Sequence, residues 1–297
     1  MRLQLDVVGK RKIWFLISAL VILPGLFSLL LQGLNLGIDF TSGTLFHLGF
    51  AQPVTEIEVR SVLSQFDLKQ SSIQSSTGNV FLIRTENMEE AKRQEVMSAL
   101  EEQLGEFTIM QAQNVGPIIS GELRNAAFLA LAVATVLMIG YITIRFEFKF
   151  AIAGILALIH DILVVLGVFS LFQIQIDSTF VAAVLTIVGY SINDTIVIFD
   201  RIRENLKGYR KGFVGPLANV SINQVLLRCI NTSVTTLLAV CAILFFGGDT
   251  TRVFALAIFI GIVAGTYSSI FIATNIWVAW RDLDEHKRLL AAQGKGK

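Results

Sequence analysis

The chain has 297 residues, 54% of them hydrophobic and 16% charged, with a formal net charge of +1 and a mean hydropathy of +0.66. Soluble domains carry about 25% charged residues, so this composition excludes a disordered chain, a nucleic-acid-binding protein and an ordinary soluble enzyme. The two cysteines, Cys229 and Cys241, lie in or beside apolar stretches, which argues against a disulfide framework and against a zinc site.

A membrane-spanning helix needs about 20 mostly apolar residues. The first such stretch covers residues 13–31, behind Lys10-Arg11-Lys12. That start resembles a signal peptide, whose apolar core runs only about 7–15 residues before a small-residue cleavage site. Here the run has 19 residues and no such site, so it reads as a retained anchor.

Residues 33–124 are too polar to enter the membrane and hold twelve acids and six bases. Their pattern predicts a strand at 44–50, then a helix at 54–66 with Pro53 near its start. Ile57, Val59, Val62, Leu63 and Phe66 form the apolar face of that helix. A weak strand at 70–74 follows, then the turn Thr77-Gly78-Asn79 and a strand at 79–84. A charged amphipathic helix at 88–104 and a strand at 107–115 complete the segment. The order β-α-β-β-α-β predicts a split βαβ, or ferredoxin-like, domain. It contains no His/Cys cluster, phosphate loop or nucleophile elbow, so it reads as a binding or docking surface.

Five more apolar stretches follow, at 126–144, 150–172, 178–199, 229–246 and 253–280, giving six spans in all. Alternate loops, starting with the N-terminus and ending with the tail, hold 17 of the 24 Lys and Arg residues. By the positive-inside rule both termini are cytoplasmic and residues 33–124 face outward. The expected organisation is a cytoplasmic N-terminus with the first span (1–32), an extracytoplasmic α+β domain (33–124), a bundle of spans two to six (125–280) and a cytoplasmic tail (281–297).

A charge near the bilayer centre costs at least about 2.5–3.5 kcal/mol, so it normally faces a bundle interior or a water path. Asp194 lies in the cytoplasmic third of the fourth span, within Gly189-Tyr190-Ser191-Ile192-Asn193-Asp194-Thr195. Tyr190 and Ser191 precede it by four and three positions and share its face. Arg228 opens the fifth span at a similar depth, and Asn231, Thr232, Thr235 and Thr236 extend a polar face from it. An Asp and an Arg so placed either exchange pairing for protonation or form a structural ion pair. His160-Asp161 lies near the middle of the third span. Asp161 either takes part in an ion path or caps a buried polar network, and His160 reads as packing. In the sixth span Ala257, Gly261, Gly265, Ser269 and Ala273 recur every four residues, a small-residue stripe for close approach of another helix.

Several strings then coincide with one family. Leu36-Gly37-Ile38-Asp39-Phe40-Thr41-Ser42-Gly43 resembles its GIDFTGG motif, with Gly37, Asp39, Phe40 and Gly43 as the matching positions. His160-Asp161, the Gly189–Thr195 string, Asp200-Arg201-Ile202-Arg203-Glu204-Asn205, Phe246-Gly247-Gly248 and Gly265-Thr266-Tyr267-Ser268-Ser269-Ile270 follow in family order. The chain is similar, from first span to last, to SecF-type members of the SecD/SecF family, and departs at Ser42, where the family usually has Gly. The resemblance implies a membrane all-α six-helix bundle of the resistance-nodulation-division type with the α+β domain inserted. It implies a SecD-like partner in a heterodimer beside the SecYEG channel, with YajC and YidC as further partners and a translocating preprotein as substrate. It places such a complex in the bacterial cytoplasmic (inner) membrane, driven by H+ or Na+. By motif, Asp194 with the adjacent Asn193 would carry the ion, Arg228 would match an essential basic residue, and Asp161 would join the ion-coupling group. No catalytic residue, cofactor, metal or nucleic-acid partner is expected. Two rivals remain at this stage: an exporter of small molecules or lipids of the same transporter type, and an intramembrane hydrolase in which Asp161 and Asp194 meet.

Overall fold

The structure, a computed structural model, describes residues 5–76, 79–209, 212 and 214–294. Thr77 and Gly78 of the expected turn lie outside these residues, as do Arg2, Arg210, Lys211, Lys295 and Lys297 of the charge count. The chain divides into two compact units, one of Leu36–Leu129 and one of Met1–Asn35 with Ala130–Lys297.

The Leu36–Leu129 unit opens with a short helix α2 (Ile38–Thr41), followed by β1 (Gly43–Phe50), α3 (Glu56–Ser64), β2 (Ser72–Ser76), β3 (Val80–Thr85), α4 (Glu90–Leu104) and β4 (Phe107–Val115). The strands form one sheet in the order β2-β3-β1-β4, and every neighbouring pair is antiparallel. The start of α3 is set by a capping box. Thr55 Oγ accepts from Glu58 N–H, and the Glu58 carboxylate accepts from Thr55 N–H at 2.7 Å. The second strand begins two residues later than its pattern suggests. Asp67 takes a positive φ of 61° and Ser71 N–H bonds back to Leu68 O, so this turn consumes residues 67–71. Phe46, Leu48 and Phe50 of β1 pack with Phe81 and Ile83 of β3 against Val59, Val62 and Leu63 of α3 and Val96 and Leu100 of α4. Ile57 does not join them. It is 81% exposed, on the side of the helix opposite the Val59, Val62 and Leu63 stripe, which corrects its assignment to the apolar face.

Among the described residues, six helices are long and apolar enough to cross a membrane. They are α1 (Arg11–Leu31), α5 (Pro117–Arg145), α6 (Phe148–Leu171), α7 (Ser178–Leu206), α8 (Gly215–Phe246) and a sixth run made of α9 (Asp249–Ser268), a π-helical segment (Ser269–Ala273) and α10 (Thr274–Gly294). Hydropathy finds the apolar centre of each helix and misses its polar ends. Thus α8 begins at Gly215, with Pro216 in its first turn, and not at residue 229. Arg228 therefore lies well inside a 32-residue helix and does not open it. The sixth run likewise passes through residue 280 without a break and continues as α10.

In this unit α7 is the central helix, flanked by α6, α8 and α9. Asp177 caps its N-terminus by accepting from Phe180 N–H at 3.1 Å. The N-terminal strand of chain before α1 is tied along α8 by two asparagines one turn apart. Asn223 exchanges two 2.8 Å hydrogen bonds with the backbone of Leu5, and Asn219 accepts from Val7 N–H at 2.8 Å. Parallel helices α1 and α6 meet along a seam of small and polar residues in constant register. Ser18 lies against His160, Gly25 against Gly167 and Ser28 against Ser170. A Cβ on Gly25 would stand 2.6 Å from Gly167 Cα, so the two backbones touch.

Candidate functional site

The interior of the bundle contains two carboxylates that apolar helices would not bury without reason. Asp161 of α6 is fully buried and Asp194 of α7 is 2% exposed. Each is held by its own set of hydroxyls.

Around Asp161, Oδ2 accepts from Ser191 Oγ at 2.5 Å and from Ser268 Oγ at 2.8 Å. Its Oδ1 lies 3.0 Å from Nδ1 of His160. The other ring nitrogen of His160 lies 3.0 Å from Ser18 Oγ on α1. The Tyr267 ring stacks near the imidazole, with centroids 6.0 Å apart, and its hydroxyl donates to Trp14 O at 2.6 Å. Four spans, α1, α6, α7 and α9, thus converge on one carboxylate–imidazole pair. His160 is more than packing: adjacent residues on a helix point about 100° apart, yet a side-chain bend brings this ring back to its neighbour.

Around Asp194, Ser233 Oγ of α8 donates at 3.3 Å, and Ser233 in turn meets Thr266 Oγ1 of α9 at 2.6 Å. Thr195 and Ser269 share a hydrogen bond of 2.8 Å, and Ser269 also donates to Ser191 O at 3.2 Å. The π-helical segment begins at Ser269, so the distortion in the sixth run sits where α9 crosses both sites. Such π segments are frequent at functional positions.

Several sequence expectations change here. Ser191 does not serve Asp194 but Asp161, and Tyr190 bonds to Thr232 O and Thr236 Oγ1 at 3.1 Å each. Arg228 forms no ion pair with Asp194 among the described residues. Its charge acts on that carboxylate through space only, while its side chain is exposed and lines a cavity of about 500 Å³ with Asp200, Arg201, Glu204 and Gln224. Asn193 is exposed on the far side of α7 and joins neither site. The carboxylates share no hydrogen bond, so the paired geometry of an intramembrane hydrolase is not assembled.

Gly261 and Gly265 of the small-residue stripe face α7. A Cβ on Gly265 would stand 2.9 Å from Ser191 Cβ, and one on Gly261 would run into the Ile187 side chain. Ser269, on the same stripe, supplies a hydroxyl as well as a small volume. In the Leu36–Leu129 unit, Gly37 O accepts from Phe40 N–H and Thr41 N–H, closing α2, where Phe40 is buried and Asp39 is half-buried. Gly43 has φ of +141° and a Cβ there would meet Thr85 O at 2.6 Å, so only glycine fits. Ser42 adopts φ 63° and ψ 160°, a region that favours glycine.

Ser18, Ser233, Thr266 and Ser268 escape sequence reasoning as site residues. Serine and threonine are common in apolar helices, where they bond their own backbone, so type and spacing alone do not mark them.

The chain resembles known proteins along most of its length. The family described as "Protein export membrane protein SecD/SecF, C-terminal" matches residues 95–283, and the SecD/SecF GG motif matches residues 27–54. Protein translocase subunit SecF of Acidaminococcus fermentans is 45% identical over 286 residues, covering 94% of this chain and 98% of that protein. The SecF subunit of Sebaldella termitidis is 42% identical over 282 residues, with 92% and 91% covered. The chain belongs to the SecF family of the SecD/SecF proteins. SecF of Pseudomonas aeruginosa, 40% identical over 282 residues, extends the likeness over 94% of this chain and 92% of its own. The crystal structure of SecDF from Thermus thermophilus, described as a translocon-associated membrane protein, superposes with a TM-score of 0.87 at 38% identity over 94% of this chain. A super-membrane-facing form of SecDF gives a TM-score of 0.68 at 36% identity. This SecF-family chain spans 39–40% of the length of those SecDF chains.

Proposed function

We propose that this multi-pass membrane chain is the SecF subunit of an accessory complex of the Sec preprotein translocase, and that it uses an ion gradient to promote export. The observation that carries the coupling is the pair of buried carboxylates, Asp161 and Asp194, each held by hydroxyls from neighbouring spans. A buried carboxylate changes charge when it takes a proton, and moving one charge through the potential is worth about 2.3 kcal/mol per 100 mV. That suffices to bias a two-state bundle of comparable gap. Protons are the ion in this reading, with Na+ as the competing cargo; no bond of the substrate is made or broken.

The partner is a SecD-like subunit. The support is the length of the SecDF chains, of which this chain matches 39–40%. SecYEG, with YajC and YidC, completes the assembly, which sits in the bacterial cytoplasmic membrane with both termini of this chain inside. The bias of Lys and Arg toward alternate loops supports that orientation. The extracytoplasmic unit is read as ferredoxin-like, supported by its β-α-β-β-α-β order and the antiparallel β2-β3-β1-β4 sheet, and handles the emerging polypeptide.

Asp194→Asn tests the coupling, because it keeps shape and removes the titrating charge. In vesicles holding the complex and its SecD-like partner, the variant is expected to insert and assemble normally and to lose gradient-stimulated translocation. Full gradient-stimulated translocation by this variant would refute the ion-carrier role.

A further inference from the structure

The hydrogen bonds around His160 leave one proton undetermined, and its two positions differ in what α1 feels. Asp161 is fully buried, and an ionised carboxylate only accepts. Its Oδ2 is taken by the Ser191 and Ser268 hydroxyls, so Oδ1 accepts from His160 Nδ1–H at 3.0 Å. The far nitrogen, Nε2, faces Ser18 Oγ at 3.0 Å. A hydroxyl donates and accepts, so two complete arrangements exist. With Nε2 bare, Ser18 donates to it and the pair carries a net charge of −1. With Nε2 protonated, the ring donates to Ser18 Oγ and the pair is neutral. The Ser18 hydrogen then turns to the Tyr267 hydroxyl oxygen, its other side-chain partner, because Trp14 O is already taken by the Tyr267 hydroxyl and the helical Ser18 N–H. The arrangements differ by one proton taken from the aqueous phase, and nothing else is made or broken.

We infer that His160 and Asp161 together hold one exchangeable proton, and that Ser18 of α1 reports it by reversing its hydrogen bond. This rests on the ion-coupled reading above and deepens it: a second proton site is assigned apart from Asp194, with α1 as its output. The elements packed on the pair offer no competing charge. α1 presents Ser18, α7 presents Ser191, and α9 presents Ser268 and the titratable Tyr267, with no Lys or Arg among these contacts. Beside the ring is a cavity of about 280 Å³ lined by Ser18, Val21, His160, Val164, Val263 and Tyr267, which leaves room for the imidazole and the hydroxyl to readjust. The output reaches α1 directly because Ser18 sits on its close seam with α6. Ser18–His160 is one of three in-register contacts of the α1–α6 seam, with Gly25–Gly167 and Ser28–Ser170. The same helix continues in sequence into the Leu36–Leu129 unit. Ser18 is therefore a positioning residue, acting through His160.

The chain has three histidines, so histidine ring nitrogens can be followed by isotope-labelled NMR in the intact complex in lipid vesicles. The His160 signal is the one lost in His160→Gln. On acidification it is expected to pass from one protonated nitrogen to two, and Asp161→Asn is expected to change that response. Ser18→Ala is expected to reduce gradient-stimulated translocation about tenfold, the worth of one hydrogen bond to a charged group, and Ser18→Thr to restore it. A His160 that stays neutral wherever the complex is folded overturns the inference, as does a Ser18→Ala variant with the full gradient response. If Asp194→Asn abolishes the response while Ser18→Ala keeps it, this inference alone fails. If both variants keep it, the ion-coupled reading fails as well.

Discussion

Gly265 offers a way to move Ser191 without touching either carboxylate. A methyl group there would stand 2.9 Å from Ser191 Cβ and 3.1 Å from its Oγ, closer than side chains approach. Either α7 and α9 separate or Ser191 turns away, and its 2.5 Å bond to Asp161 is then strained or lost. Overpacking a tight contact costs about 1–3 kcal/mol. Losing a hydrogen bond to a charged group adds about 1.5–3 kcal/mol. Gly265→Ala is therefore expected to cost about 2.5–6 kcal/mol if both apply in full. Gly261→Ala is the control. Its methyl meets the Ile187 side chain one turn away and leaves the hydroxyls of Asp161 alone. Both variants should speed thermal inactivation of the purified complex relative to wild type, since the Gly261 methyl would also run into Ile187 Cγ1. Gradient-stimulated translocation, measured at a temperature where all three are folded, should fall only in Gly265→Ala. Equal gradient-stimulated activity of the two variants would refute the reasoning, because Ser191 would then contribute nothing that packing alone does not.

Ser42→Gly should stabilise the protein, since a non-glycine residue at φ 63° and ψ 160° costs about 1–3 kcal/mol; an unchanged or lower midpoint in thermal unfolding would refute this. At the start of α3, the Thr55 backbone N–H and hydroxyl hold the Glu58 carboxyl below its ordinary range. The cap is therefore fully formed above that ordinary range and is lost as pH falls through the depressed value. Hydrogen exchange in the first turn of α3 should accelerate on acidification, and Thr55→Ala should remove that pH dependence. An identical pH profile in the variant would count against the capping box.

The sequence makes the spans legible because apolar composition persists over whole helices, and it makes the sheet legible because β3 alternates between faces and β1 is rich in β-forming residues. It misplaces helix ends wherever polar residues remain helical. Residues 215–228 carry Asn219, Asn223, Gln224 and Arg228, and hydropathy excludes them although they continue α8 without a break. Arg228 therefore reads from the sequence as a boundary residue level with Asp194, although it lies inside α8. The carboxylates themselves are legible because a charge inside an apolar run is costly. Their partners are not, since a helical wheel tells which residues share a face and not which neighbouring helix that face meets. Ser191 is three residues from Asp194, yet it turns to Asp161 because α6, not α8, lies on its side. The π segment is equally invisible in the sequence, since Ser269–Ala273 has no residue that forbids an ordinary helix.

That geometry gives α7 and α9 a joint role. α7 carries Ser191 for one site and Asp194 itself for the other, while α9 carries Ser268 for the first and Thr266 for the second. Any sliding or rotation of this helix pair therefore alters the hydrogen bonds of both carboxylates at once. Gly261 and Gly265 keep the two helices in close contact, so such a motion is transmitted rather than absorbed. Coupling of this kind has a measurable form, the interaction energy of a double-mutant cycle. Ser268→Ala and Thr266→Val lie two residues apart on α9 and address different carboxylates. If α9 links the sites, their effects on gradient-stimulated translocation will be non-additive. Strictly additive effects would mean that the carboxylates work independently, whatever their shared helices suggest.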